Sequence, residues 1–230
     1  MPAAASKQEA REAVAEKGVV LPQPQKITVD EISEKVMASQ ELKNIGVLLT
    51  GTDNKPMPNQ NLVVSISGNG EVNRNPERTF IQTNESGKAY FDLKAGEKAG
   101  VMKTLIRYSD HGNDHVKAEI KTIITPGQPE TIELFNNLQA SPSGMKLLKP
   151  IHILVKDSFG NPTYDVPVDF VITMGDGMFE NRSNKVTIRT NDAGEIAMPF
   201  FLGKTPGFNA VDIKVQNTQI QKTFQAVGQE

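Results

Sequence analysis

The sequence predicts an all-β chain made of two copies of one β-sandwich, preceded by a short arm. Three observations carry this: apolar residues that alternate with period two, turn residues that punctuate the alternation, and an internal repeat at a nearly constant offset. Period-two alternation puts every second side chain on one face of a strand. Ile151, Ile153 and Val155 share such a face, as do Val168, Phe170 and Ile172, then Ile196, Met198 and Phe200, then Val211, Ile213 and Val215. Their alternate neighbours are mixed, several of them polar. A sheet with one wet face buries the other against a second sheet, and short strands at regular spacing suit a sandwich.

The first element is an arm over residues 1–25. Ser6 with Glu9 forms a capping-box pattern, Ala10, Ala13 and Val14 share a narrow helical face, and Gly18 supplies a stop. So short a helix is marginal alone, which makes Ala10, Ala13 and Val14 a candidate assembly arm. Pro22 and Pro24 then form an extended linker. From Lys26 onward the helical period vanishes, apart from an ambiguous patch at Asp30 to Met37.

The repeat can be checked on the numbering. At an offset of 106, Ile45, Val47 and Leu49 fall on Ile151, Ile153 and Val155, Pro56 falls on Pro162, and Leu62, Val64 and Ile66 fall on Val168, Phe170 and Ile172. One inserted residue moves the offset to 107, where Gly68 and Gly70 match Gly175 and Gly177, Thr83-Asn84 matches Thr190-Asn191, Gly87 matches Gly194, and Gly100 matches Gly207. Thr104, Ile106 and Tyr108 then meet Val211, Ile213 and Val215. The boundary falls at Thr125-Pro126-Gly127, giving sandwiches over 26–125 and 126–230, with Ile27 answering Ile132.

Composition narrows the function classes. A chain of 230 residues suits two modest domains, and 25 Lys+Arg against 27 Asp+Glu leave no global field toward nucleic acid or an anionic membrane. The absence of Cys removes disulfides, thiolate catalysis and sulfur-ligated metal sites. With no Trp either, the chain lacks the Trp-on-disulfide core of antibody domains. Met1 to Val20 holds no apolar stretch of signal-peptide length, and no stretch is long enough to span a membrane.

Asp157-Ser158-Phe159-Gly160-Asn161-Pro162, followed by Val166-Pro167-Val168-Asp169-Phe170, resembles the bacterial immunoglobulin-like domains, group 1, of the invasin and intimin type. Gly175-Asp176-Gly177-Met178-Phe179, Thr190-Asn191-Asp192-Ala193-Gly194 and Lys204-Thr205-Pro206-Gly207 fit that family's order of turns. In the first copy Thr83-Asn84-Glu85-Ser86-Gly87 fits well, while Thr52-Asp53-Asn54-Lys55-Pro56 lacks the turn Gly and Phe. The resemblance implies two tandem immunoglobulin-like β-sandwiches serving as a non-enzymatic spacer, adhesion or assembly module. It carries over no catalytic residue. Physically, Gly160-Asn161-Pro162 reads as a turn in which Gly and Asn take positive φ, and Asn191-Asp192-Ala193-Gly194 reads as a hairpin loop.

The sequence offers few groups for catalysis or metal binding. His111, Asp114 and His115 are candidate metal ligands, against the plainer reading of a solvated hairpin loop. Gly203-Lys204-Thr205 ends like a phosphate-binding loop, but Met198 stands where that motif needs Gly. There is no Gly-x-Ser-x-Gly elbow. No cofactor is expected; Asp53-Asn54, Asp157 with Asn161, Asp176 and Asn191-Asp192 gather oxygen atoms in turns that calcium could use, but turns are rich in Asp and Asn and the ligand order fits no recognised calcium loop.

The expectation is a non-enzymatic structural or binding protein. Its setting is extracellular, on a bacterial cell surface as an adhesin or filament subunit, or on a phage virion as a head or tail decoration. The alternatives are an accessory spacer of a larger enzyme and a carbohydrate-binding module. Expected partners are proteins of the assembly, or a host-surface protein or glycan, without nucleic acid or membrane insertion.

Overall fold

The computed structural model describes residues 21–109 and 115–230. Among them there is no helix; the patch at Asp30 to Met37 is a loop leading into a short strand. The first nine strands are β1 Pro24–Val29, β2 Lys35–Met37, β3 Glu41–Gly51, β4 Asn61–Gly68, β5 Gly70–Val72, β6 Arg78–Gln82, β7 Lys88–Ala95, β8 Gly100–Tyr108 and β9 Lys117–Thr125. They form a four-stranded sheet in the order β1-β3-β7-β5 and a five-stranded sheet in the order β2-β9-β8-β4-β6. All neighbours are antiparallel except β2, which runs parallel to β9.

The next strands are β10 Pro129–Phe135, β11 Gln139–Pro142, β12 Ile151–Asp157, β13 Pro167–Met174, β14 Met178–Phe179, β15 Lys185–Arg189, β16 Glu195–Met198, β17 Phe200–Phe201, β18 Gly207–Val215 and β19 Gln221–Gln229. The order β11-β19-β18-β13-β15 repeats the five-stranded sheet, including a parallel edge where Ala140 faces Val227 as Lys35 faces Ile123. Registers repeat too: Val64 faces Ile106, and Phe170 faces Ile213. The other sheet is broken into β10-β12-β16 and β14-β17. Pro199, which has no N–H to give to a ladder, stands between β16 and β17 where the first half has Asp92 in an unbroken β7.

The inward faces make two separate hydrophobic clusters, one drawn from Ile27 to Ile124 and one from Ile132 to Ala226. In the second, Phe179, Phe200 and Phe224 meet edge to face, with ring centroids 5.8 Å and 6.3 Å apart, an arrangement aromatic quadrupoles favour. In the first, the hydroxyls of Thr104 and Thr122 are fully buried and have no hydrogen-bond partner. Val211 takes the place of Thr104 in the second sandwich. Thr104→Val therefore removes a desolvated hydroxyl and is expected to raise stability by about 1 kcal/mol. Urea denaturation reads this, and a lower midpoint would show that the hydroxyl has a partner.

Candidate functional site

The motif at the end of β12 does more than turn the chain. Asp157 N–H donates to the Asn161 carbonyl at 2.9 Å and Gly160 N–H to the Asp157 carbonyl at 3.1 Å, with Gly160 in the left-handed region at φ 81°. Gly160 thus meets the sequence expectation. Asn161 does not: it lies outside the left-handed region, and its side chain, not its backbone freedom, is what the site uses. At 2% and 5% exposure, Asp157 and Asn161 are buried polar residues that must find partners.

They find them across the junction between the two sandwiches. Asp157 Oδ1 accepts from Phe159 N at 2.9 Å and Asn161 N at 2.8 Å; Oδ2 accepts from Asn161 Nδ2 and from Gly127 N, both at 2.8 Å. Asn161 Nδ2 also donates to the Glu97 carbonyl at 2.7 Å, and its Oδ1 accepts from Ala99 N at 3.0 Å. Lys98 Nζ donates to the Phe159 carbonyl at 2.6 Å, and the Phe159 ring packs on the core cluster of the first sandwich. The loop Glu97 to Ala99 after β7, the linker at Gly127 and the β12 turn are therefore tied by one polar clamp and one aromatic plug. Burial of Asp157 opposes its ionisation, but the bonds from the Asn161 side chain and from the Gly127, Asn161 and Phe159 backbones outweigh it and hold the carboxyl below its ordinary value.

This geometry weighs against calcium at Asp157 and Asn161. Four N–H groups point at the carboxylate and one more at the amide oxygen, so the pair is filled by donors that a cation would have to displace. Gly51-Thr52-Asp53-Asn54-Lys55-Pro56 makes the same backbone turn, with Gly51 N–H on the Lys55 carbonyl at 3.0 Å and Asn54 at φ 60° where Gly160 stands. The first copy has thus kept the turn while carrying Gly51, Asp53 and Lys55 in place of Asp157, Phe159 and Asn161, the residues that build the clamp in the second.

The other motif turns hold each sandwich together. Asn191 to Gly194 is not a hairpin loop, because β15 pairs with β13 whereas β16 pairs with β12; the turn crosses from one sheet to the other. Asn191 Oδ1 accepts from Ala193 N and Glu195 N at 2.9 Å, while Asp192 is exposed. Thr190 is buried: its hydroxyl donates to the Thr163 carbonyl at 2.7 Å and accepts from Val166 N at 3.0 Å. Thr83 repeats this with Met57 and Gln60. Gly175 and Gly207 take φ 85° and 144°, and a side chain on Gly177 would meet the Phe200 ring at 2.5 Å. Pro206 is exposed and stands where the first sandwich has Ala99, whose N–H the clamp uses.

His111 and Asp114, like Ala10, Ala13 and Val14, lie outside the described residues, whereas His115 begins the approach to β9. His152 rests against the Phe135 ring at 5.0 Å, with Nε2 3.6 Å from Glu195. Sequence reasoning missed Asp169, whose carboxylate Thr187, Gln216 and Lys185 reach at 2.6, 2.7 and 3.0 Å. The Thr187 bond leads in lowering its pKa, against the effect of burial. The cross-strand pairing of Asp169 with Thr187 is the signal that would have found it, once the register was known.

No protein-family model matches the chain, and no curated protein matches it. Solved structures do. InvD of Yersinia pseudotuberculosis superposes with a TM-score of 0.53 at 15% identity, over 88% of this chain and 57% of that one. The adhesin InvE of the same organism gives a TM-score of 0.42 at 12% identity over 89% and 59% of the two chains. The D0-D1 domain of intimin gives 0.34 at 18% identity over 90% and 99%. The chain spans less than two thirds of the InvD and InvE chains. The fold is immunoglobulin-like and all-β. Within that class it is similar to the fold of InvD.

Proposed function

We propose that the chain is a non-enzymatic structural and binding protein, displayed outside a bacterial cell, whose two immunoglobulin-like units over 26–125 and 126–230 are locked as one stiff spacer. The observation that carries this reading is the clamp. A presenting module must hold its tip at a fixed distance and angle, and a three-residue Pro-Gly-Gln linker with buried, fully satisfied polar groups across the joint opposes bending. The partners are proteins, met through exposed sheet faces and loops. The carboxylates that come nearest to chemistry, Asp157 and Asp169, are committed to structural hydrogen bonds.

Antibodies raised against this chain test the reading on intact and on permeabilised cells that carry the gene. Labelling of intact cells is the expected result. Labelling only after permeabilisation overturns the extracellular role.

A further inference from the structure

The outward face of the β2-β9-β8-β4-β6 sheet carries Lys35, Arg78, Lys103, Arg107, Lys117 and Lys121, with Glu119 as the only acid at its outward strand positions among the described residues. Two of its cross-strand pairs oppose like charges, Lys103 on Lys121 and Arg107 on Lys117. Such pairs destabilise a sheet, so folding gives no reason for them. The second sandwich makes the comparison direct. At the place of the Lys103–Lys121 pair it has Ala210 facing Gln225, and at the place of Arg107–Lys117 it has Lys214 facing Gln221. Its Asp169, half-buried, and Asp212, exposed, lie on the same face and are bonded to Lys185, Thr187 and Thr223. One face is internally neutralised; its counterpart is left cationic on a unit whose remaining surface carries the balancing acid.

Apolar groups border these charges. Val101 faces Ile123 beside Met37, at 45%, 40% and 45% exposure, and Phe80 lies 65% exposed beneath the Arg78 guanidinium. Interleaved cations and exposed aliphatic and aromatic groups match the composition of a protein interface, in which Arg and aromatic residues anchor and apolar contacts exclude water. A sulfated glycan or a nucleic acid would use the charges and leave the Val101, Ile123 and Met37 cluster wet.

We propose that this face docks an acidic protein surface that also presents apolar side chains. The partner's carboxylates relieve the Lys103–Lys121 opposition, and its apolar residues cover the Val101–Ile123–Met37 end. The proposal rests on the binding role given above but is tested apart from it, because cell labelling reports exposure and the following assay reports this face.

The probe is a fluorescein-labelled (Glu-Glu-Leu)5 peptide, titrated with the full chain by fluorescence anisotropy, beside polyglutamate, a heparin oligosaccharide and oligothymidine of similar length. The expected result is that the Leu-containing peptide binds best and loses about tenfold in affinity when salt rises from about 50 to about 300 mM. Lys103→Ala with Lys121→Gln, which installs the second sandwich's residues, is expected to lower that affinity at least about tenfold while the melting midpoint stays level or rises. A structural role for the two lysines would lower the midpoint instead. Equal or tighter binding of heparin or oligothymidine, no advantage of the peptide over polyglutamate, or no binding at all overturns the proposal.

Discussion

Asp157→Ala is expected to cost about 3–5 kcal/mol and to free the two sandwiches from one another. The substitution removes an ionised acceptor of four hydrogen bonds and leaves the buried Asn161 N–H and the half-buried Phe159 and Gly127 N–H groups without partners. Bonds to charged groups are worth about 1.5–3 kcal/mol each, though members of one network do not add fully. Distances between spin labels on the two sandwiches should spread from one narrow population to a broad one. The pH dependence gives a second reading. The folded pKa of Asp157 lies below the ordinary 3.8, so its contribution is complete above that value and is lost as pH falls through the lower folded one. The stability gap between the parent chain and Asp157→Ala should therefore be constant near neutrality and close below about pH 3.8. A gap that persists into stronger acid would mean that packing, not ionisation, holds the joint.

Gly194→Ala should cost about 3 kcal/mol, with Gly144→Ala as its control. Both glycines take φ 74°, a conformation that costs an L-residue about 1–2 kcal/mol. They differ in surroundings. A Cβ on Gly194 would lie 2.8 Å from the Val155 carbonyl, 2.9 Å from Pro162 Cβ and 3.0 Å from Thr163 N, whereas on Gly144 the nearest atom is at 3.8 Å. Backbone and proline cannot step aside, so the excess over the control measures that close approach. Equal losses in chemical denaturation would show that conformation alone sets the demand.

Gly194 also shows how much of the site was legible. The match of Gly87 to Gly194 and of Pro56 to Pro162 marked both positions, because a repeat keeps what its backbone needs. What it could not show is that these residues lie together: a Cβ on Gly194 would meet Pro162, as one on Gly87 would meet Pro56 at 2.6 Å. The reading of Asn191 to Gly194 as a hairpin failed for the same reason. Two strands close in sequence look like a hairpin unless it is known that each pairs elsewhere, and pairing is a long-range property.

Asn161 plays a different part from the one its place in the turn suggests. Next to Gly in a turn, Asn ordinarily signals left-handed backbone; here Asn54, opposite Gly160 in the first copy, does that, while Asn161 spans the joint. The replacement of Asp157, Phe159 and Asn161 by Gly51, Asp53 and Lys55 in the first copy is visible in the sequence only as a weak match that lacks the turn Gly and Phe. Its meaning came only from seeing what the three residues grip. The basic sheet face is not legible in the sequence, because its cations come from four strands and the near balance of total charge conceals a surface on which one sign is gathered.

The sequence alone determined the strands, the inward faces and the duplicated turns, since period-two burial and positive-φ glycines are local demands written at neighbouring positions. The tertiary structure decided which polar residues are buried, which turns meet, and where charge collects. Those depend on groups distant along the chain being brought within a few ångströms, a condition that no local pattern encodes.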